Sequence, residues 1–213
     1  MNIKENIIAV EKSARFFTNK PSKNIKRFLI VIHGYAQLAS DFIEEFKFLD
    51  NENTLIVSPE GLSKFYFRDK IGASWMTKED RENEIADYIN YLNKVVNMIQ
   101  NEFDLSESEN TLLGFSQGVH TAARYFIKSK FSFNNLILCS SDFPKDADFN
   151  LLQKKSEYSK IYYLLGDNDS IIKRQNYINS VNLLSENKIN FTEIGFSGVH
   201  KIDEDSLNNI LTK

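Results

Sequence analysis

Gly114-Phe115-Ser116-Gln117-Gly118 follows the apolar run Thr111-Leu112-Leu113 and opens a helical pattern that begins at Val119. The order is a strand, a sharp turn and a helix, with serine at the turn. The two glycines have a steric purpose. A serine on so tight a corner takes strained backbone angles, and a side chain two residues before or after it would collide with the turn. A serine held up in this way at a strand end is a candidate nucleophile.

Outward from this corner, short apolar runs recur at 28–32, 55–57, 111–114, 136–139, 161–165 and 191–194. Their apolarity is continuous rather than alternating, as in strands buried on both faces. Helical patterns lie between them. The longest is 77–100, where Ile85, Ile89, Leu92, Val96 and Ile99 recur every three to four residues, with Thr77 and Asp80 as an N-cap pair. Segments near 40–49, 118–127, 172–184 and 204–211 fill the other crossovers. Strand and helix in alternation predict an α/β fold: a mostly parallel sheet covered by helices on both faces. Residues 6–19 are expected to add an antiparallel hairpin at one edge. With 213 residues, 42% of them apolar, one domain over 1–213 accounts for the chain.

Composition excludes several roles. A formal charge of -3, with lysines scattered among acids, provides no basic face for nucleic acid. The N-terminal apolar run Ile7-Ile8-Ala9-Val10 is too short for a signal-peptide core, and no later stretch has the length of a transmembrane span. Cys139 is the one cysteine and lies in an apolar run, so it is a packing residue suited to a reducing compartment. The expected location is cytoplasmic.

In parallel sheets the working site gathers beyond the carboxyl ends of the strands. The residues standing there are His33-Gly34-Tyr35, Ser116, Gly166-Asp167-Asn168-Asp169 and Gly198-Val199-His200. Serine, acid and histidine thus occur in that order. A serine hydroxyl is a poor nucleophile at neutral pH. It needs a histidine to take its proton and an acid to hold the imidazole's tautomer and stabilise its cation. Ser116 is the expected nucleophile and His200 the expected base. His33 precedes the serine, against the usual order. His120 lies on the helix after the turn and is read as a packing or surface residue. Asp167 and Asp169 share one loop, and the residues alone leave both open as the acid. No histidine pair has metal-ligand spacing and no phosphate-binding glycine loop is present, so neither metal nor cofactor is expected.

These four segments together resemble the α/β-hydrolase superfamily, and within it the phospholipase/carboxylesterase family that includes acyl-protein thioesterases. The G-F-S-Q-G form of the turn is more specific than a bare G-x-S-x-G. The resemblance implies an α/β-hydrolase fold without a large cap domain, and its G-x-x-D pattern selects Asp169 as the acid. It also implies an oxyanion hole made of the backbone N–H groups of Tyr35 and Gln117, a loop-shaping role for His33, and a place for Trp75 beside the substrate pocket. Ala36, Ser170 and Val119-His120 depart from the family's usual residues and bear on substrate preference.

The connection from 140 to 166 leaves no room for a large lid. Residues 59–76, with Phe65, Tyr66, Phe67 and Trp75, are expected to form a long connection that could wall an acyl pocket. The expected substrate is a small-molecule or protein-borne acyl ester or thioester. Two other readings remain open: a different bond, such as an amide, peptide or carbon–carbon bond, cleaved by the same residues, or a binding module without catalysis.

Overall fold

The computed structural model describes residues 1–22 and 24–211. In chain order its strands and helices are β1 Phe16–Thr18, β2 Arg27–Ile32, α1 Ala39–Phe42 running into a 3-10 stretch Ile43–Leu49, and β3 Thr54–Pro59. There follow β4 Ser63–Phe67, β5 Lys70–Ser74, α2 Arg81–Glu102, β6 Glu109–Phe115, α3 Gln117–Lys128 and β7 Asn135–Cys139. The rest is α4 Phe149–Ser156, β8 Lys160–Gly166, α5 Arg174–Glu186, β9 Thr192–Phe196 and α6 Glu204–Leu211.

Seven strands make the main sheet in the order β1-β3-β2-β6-β7-β8-β9. All neighbours are parallel except β1, which runs antiparallel to β3. The continuous apolar runs are explained by burial on two sides. Phe28, Ile30 and Ile32 of β2 pack with residues of α2 and α3, while Leu29 and Val31 pack with Phe42, Phe46, Leu207 and Leu211 on the opposite face. From β2 the chain moves outward to β3, and from β6 it moves the other way to β7. That reversal makes the carboxyl ends of β2 and β6 a topological switch point, the place where open α/β sheets take their ligands.

Two expectations need correction. Residues 6–19 do not form a hairpin, because β1 is only three residues long and its antiparallel partner is the end of β3, with Phe16 opposite Pro59. Within the long 59–76 connection, β4 and β5 form an antiparallel hairpin with Phe67 opposite Lys70, and Arg68 takes a left-handed φ of 55° at the turn. Helix α2 starts at Arg81 rather than at 77. Asp80 adopts a left-handed backbone, and its side chain caps nothing. Instead the Glu84 carboxylate, inside the helix, accepts from both the backbone N–H and the hydroxyl of Thr77.

Candidate active site

Ser116 occupies the corner between β6 and α3 with φ 53° and ψ -122°, a strained conformation for a residue with a side chain. The turn survives because its neighbours are bare. A Cβ on Gly118 would stand 2.2 Å from the Ile32 carbonyl oxygen, and one on Gly114 would stand 2.5 Å from the Gly118 carbonyl oxygen. Ser116 donates its backbone N–H to the Cys139 carbonyl at 2.9 Å, and its own carbonyl accepts from Val119 at 3.0 Å. The corner is therefore fastened to β7 on one side and to its own helix on the other. Gln117, the first residue of α3, has a backbone N–H with no acceptor inside the helix.

Two residues from the loops after β8 and β9 are bonded to each other, and one of them packs on Phe115, the residue before the corner. His200 follows β9, and its ring lies against that of Phe115 with centroids 4.8 Å apart. Its Nδ1 is 2.8 Å from Asp169 Oδ2, in the loop after β8. The Asp169 side chain is 1% exposed, so its charge has to be met by donors. The N–H groups of Ile171 and Ile172 donate to Oδ1 at 2.9 and 3.0 Å. Burial pushes this carboxyl up, but the bonds from Ile172, His200 and Ile171 outweigh it and hold Asp169 below the usual carboxylate range. Asp167 does not reach the imidazole. It accepts from the Gly198 N–H at 2.9 Å and from the Asn168 amide at 2.8 Å, and so ties the acid loop to the histidine loop.

The loop after β2 faces the serine corner, and a Cβ on Gly34 would come within 3.0 Å of Ser116 Cβ. Several bonds hold its course. The Gly34 N–H donates to Gln37 Oε1 at 2.7 Å, and Ala36, with φ 64°, donates its N–H to the Ala73 carbonyl at 2.9 Å. His33 is fully buried, and burial lowers its pKa and keeps the imidazole neutral. Trp75 is buried behind this loop, where its indole N–H donates to the His33 carbonyl at 2.9 Å. It borders a cavity of about 970 Å³ between residues 10–16 and α2, a cavity whose lining includes neither Ser116 nor His200. The Gln117 side chain ties the corner to the same region, donating to the Met76 carbonyl at 3.1 Å and to Ser74 Oγ at 3.0 Å.

Three contacts go beyond what the sequence indicates. Tyr35, 53% exposed, stacks on Phe65 with ring centroids 5.0 Å apart and meets Phe67 edge-on at 6.3 Å, which makes an aromatic shelf beside the loop after β2. His120 is not merely packed or exposed: its Nε2 is 3.0 Å from Asp142 Oδ1 in the loop after β7. Arg124, one turn further along α3, grips Asp146 through two bonds, and Arg81 joins the same carboxylate. Three successive aromatics at 65–67 mark β propensity, but no alternation in 63–67 shows which face is covered. Both side-chain pairs, His120–Asp142 and Arg124–Asp146, join residues 22 apart through the fold, and no local signal announces them.

A sequence model of the family described as Phospholipase/Carboxylesterase matches residues 13–213. Among solved structures, the chain is similar to acyl-protein thioesterase 2 of Zea mays, with 14% identity and a TM-score of 0.71 over 93% of this chain and 96% of that one. It is also similar to a Bacillus cereus carboxylesterase, with 17% identity and a TM-score of 0.67 over 92% and 91% of the two chains. A phospholipase/carboxylesterase from Dyadobacter fermentans gives 17% identity and a TM-score of 0.64 over 95% and 98%. At these identities the structures speak for the α/β-hydrolase fold. No curated protein matches the chain significantly in sequence. Among the described residues no helix is long and apolar enough to cross a membrane.

Proposed function

This chain belongs to the phospholipase/carboxylesterase family and is a hydrolase, and from that premise we propose that it cleaves carboxylic esters or thioesters through an acyl-enzyme formed on Ser116. The observation that carries the proposal is the 2.8 Å bond between His200 Nδ1 and a buried, doubly N–H-bonded Asp169, set against Phe115 next to the strained serine. With Nδ1 committed to the acid, Nε2 is the nitrogen left to accept the serine proton.

In the proposed reaction the Ser116 hydroxyl gives its proton to His200 Nε2 as its oxygen bonds to the acyl carbon. The carbonyl electron pair moves onto oxygen, where the N–H groups of Tyr35 and Gln117 stabilise it. Collapse re-forms the carbonyl and breaks the bond to the alcohol or thiol, which leaves with the proton from His200. Water then repeats the two steps on the acyl-enzyme, releasing the carboxylic acid and restoring the serine. Asp169 keeps the proton on Nδ1 and offsets the imidazolium charge throughout.

The shelf of Tyr35, Phe65 and Phe67 lies next to the proposed oxyanion donor and suits the chain of the acyl group. Trp75, being buried, acts on substrate only through the loop it supports. We take residues 1–213 as one catalytic domain and, from the lone buried Cys139, the cytoplasm as its compartment.

The test is a fluorophosphonate probe with the adduct located by peptide mass spectrometry, run beside p-nitrophenyl esters of increasing chain length. Labelling at Ser116, turnover that climbs as the acyl group lengthens, and loss of both in Ser116→Ala are expected. Retained turnover in purified, folded Ser116→Ala overturns the proposal.

A further inference from the structure

Glu60 stands just past β3 with a side chain 1% exposed, and an ionised carboxylate so placed has to be paired. Arg15, the residue before β1, grips it at two points: Nε donates to Oε1 at 2.6 Å and Nη2 to Oε2 at 3.0 Å. Lys64 brings its Nζ to 3.0 Å from Oε1. Burial pushes the Glu60 carboxyl up, but the bonds from Arg15 and Lys64 outweigh it and hold the group below its usual range. The backbone closes the same knot. The Glu60 N–H donates to the Arg15 carbonyl at 3.1 Å, and the Tyr91 hydroxyl donates to that carbonyl at 2.6 Å.

The residue after Glu60 touches the proposed oxyanion loop. Gly61 donates its N–H to His33 Nε2 at 2.9 Å, so the imidazole proton must sit on Nδ1, which donates to the Gly34 carbonyl at 2.7 Å. Gly61 is wedged in place, since a Cβ there would lie 2.6 Å from the Ser74 carbonyl oxygen. The Gly34 carbonyl and the Tyr35 N–H belong to one planar trans peptide and point in opposite directions. Whatever fixes that carbonyl therefore fixes the N–H. A peptide free to rotate would turn a carbonyl toward the oxyanion in place of a donor.

We propose that Glu60, gripped by Arg15, is a positioning residue for the hydrolysis: through Gly61 and His33 it sets the Gly34–Tyr35 peptide so that the Tyr35 N–H faces the developing oxyanion. The proposal rests on the serine-hydrolase reading above, and its test separates the two.

Arg15→Ala, Arg15→Lys and Glu60→Gln are compared with the parent and with Glu44→Gln, which breaks an exposed ion pair to Lys47 on the other face of the sheet. Expected for Arg15→Ala and Glu60→Gln is a fall in kcat of about tenfold, with KM within about twofold and the rate of fluorophosphonate labelling falling in step with kcat. Arg15→Lys, which keeps the charge without the fork, recovers part of the loss. In ¹⁵N spectra of the imidazoles, His33 in the parent carries its proton on Nδ1, and in the two disrupting variants this signal broadens or moves. An unchanged kcat and an unchanged His33 signal overturn the proposal. So does a loss of activity that appears equally in Glu44→Gln or that resides in KM. If the parent protein neither turns over esters nor labels, the hydrolase reading is what fails, and the His33 spectra still decide whether Glu60 and Arg15 set that tautomer. If Arg15→Ala does not fold, Arg15→Lys and Glu60→Gln carry the comparison.

Discussion

The molecule holds two histidine–aspartate pairs beyond the carboxyl ends of its strands, of nearly equal length and opposite character. His200 meets Asp169 through Nδ1 at 2.8 Å, and His120 meets Asp142 through Nε2 at 3.0 Å. Asp169 is buried and takes two further backbone N–H bonds, whereas Asp142 is 40% exposed and sits on a loop beside a helix. Distance alone does not distinguish them. Burial and the choice of ring nitrogen do: one imidazole is held by a carboxylate closed off from solvent and, in the proposed mechanism, keeps Nε2 for the serine, whereas the other meets a half-exposed acid through that same nitrogen.

The sharpest way to break the comparison is to remove each ring. His200→Ala is expected to lower kcat roughly a million-fold, as for loss of a base that works as a unit with its serine, while His120→Ala stays within about threefold. Comparable losses at both positions, measured with one p-nitrophenyl ester, would mean that the second pair shares in the chemistry. A smaller effect comes from changing the acids. Asp169→Asn should cost roughly 10,000-fold in kcat by allowing the wrong tautomer, and Asp142→Asn almost nothing. A dead Asp167→Asn beside an active Asp169→Asn would transfer the role to the other acid in that loop.

The smallest expected effect concerns stability. Both carboxylates are held low, Asp142 by the bond from His120, and Asp169 by the N–H of Ile172 and by His200 against the upward push of burial. A depressed folded-state value means that the stabilisation is complete above the ordinary carboxylate pKa near 4, and that it disappears as pH falls through the depressed value. Urea midpoints should place Asp169→Asn below the parent at about pH 6, with the gap closing as the pH falls below the ordinary carboxylate range. For Asp142→Asn the gap should be much smaller, because water screens an exposed pair. Equal gaps would sharpen the comparison into one of position alone.

Much of this was legible in the residues. Five buried strands announced themselves as apolar runs, because a parallel sheet covered on both faces has no polar side, while β9, at the sheet edge, is mostly exposed. The serine corner was legible because sterics demand its glycines. What was hidden depends on contacts far apart in the chain. Glu60 looks like any acid after a strand until Arg15 is brought beside it by β1, 45 residues away in sequence. The partner of His120 is equally invisible. Asp80 looked like a cap and instead took a left-handed turn, since Glu84 satisfies Thr77 from inside the helix. The β4–β5 hairpin was obscured because Tyr66 and Ile71 are large and exposed, so its apolar residues do not mark an interior.

Cys139 gives the protein a recorder of its own opening. Its thiol is buried in β7, the strand whose carbonyl anchors the Ser116 N–H, and burial pushes the thiol up, away from the reactive thiolate. An alkylating reagent therefore has nothing to attack while the central strands stay paired. With one cysteine in the chain, each molecule is marked once, at the moment its sheet comes apart, so the unlabelled fraction left after a given time counts the molecules that have never unfolded.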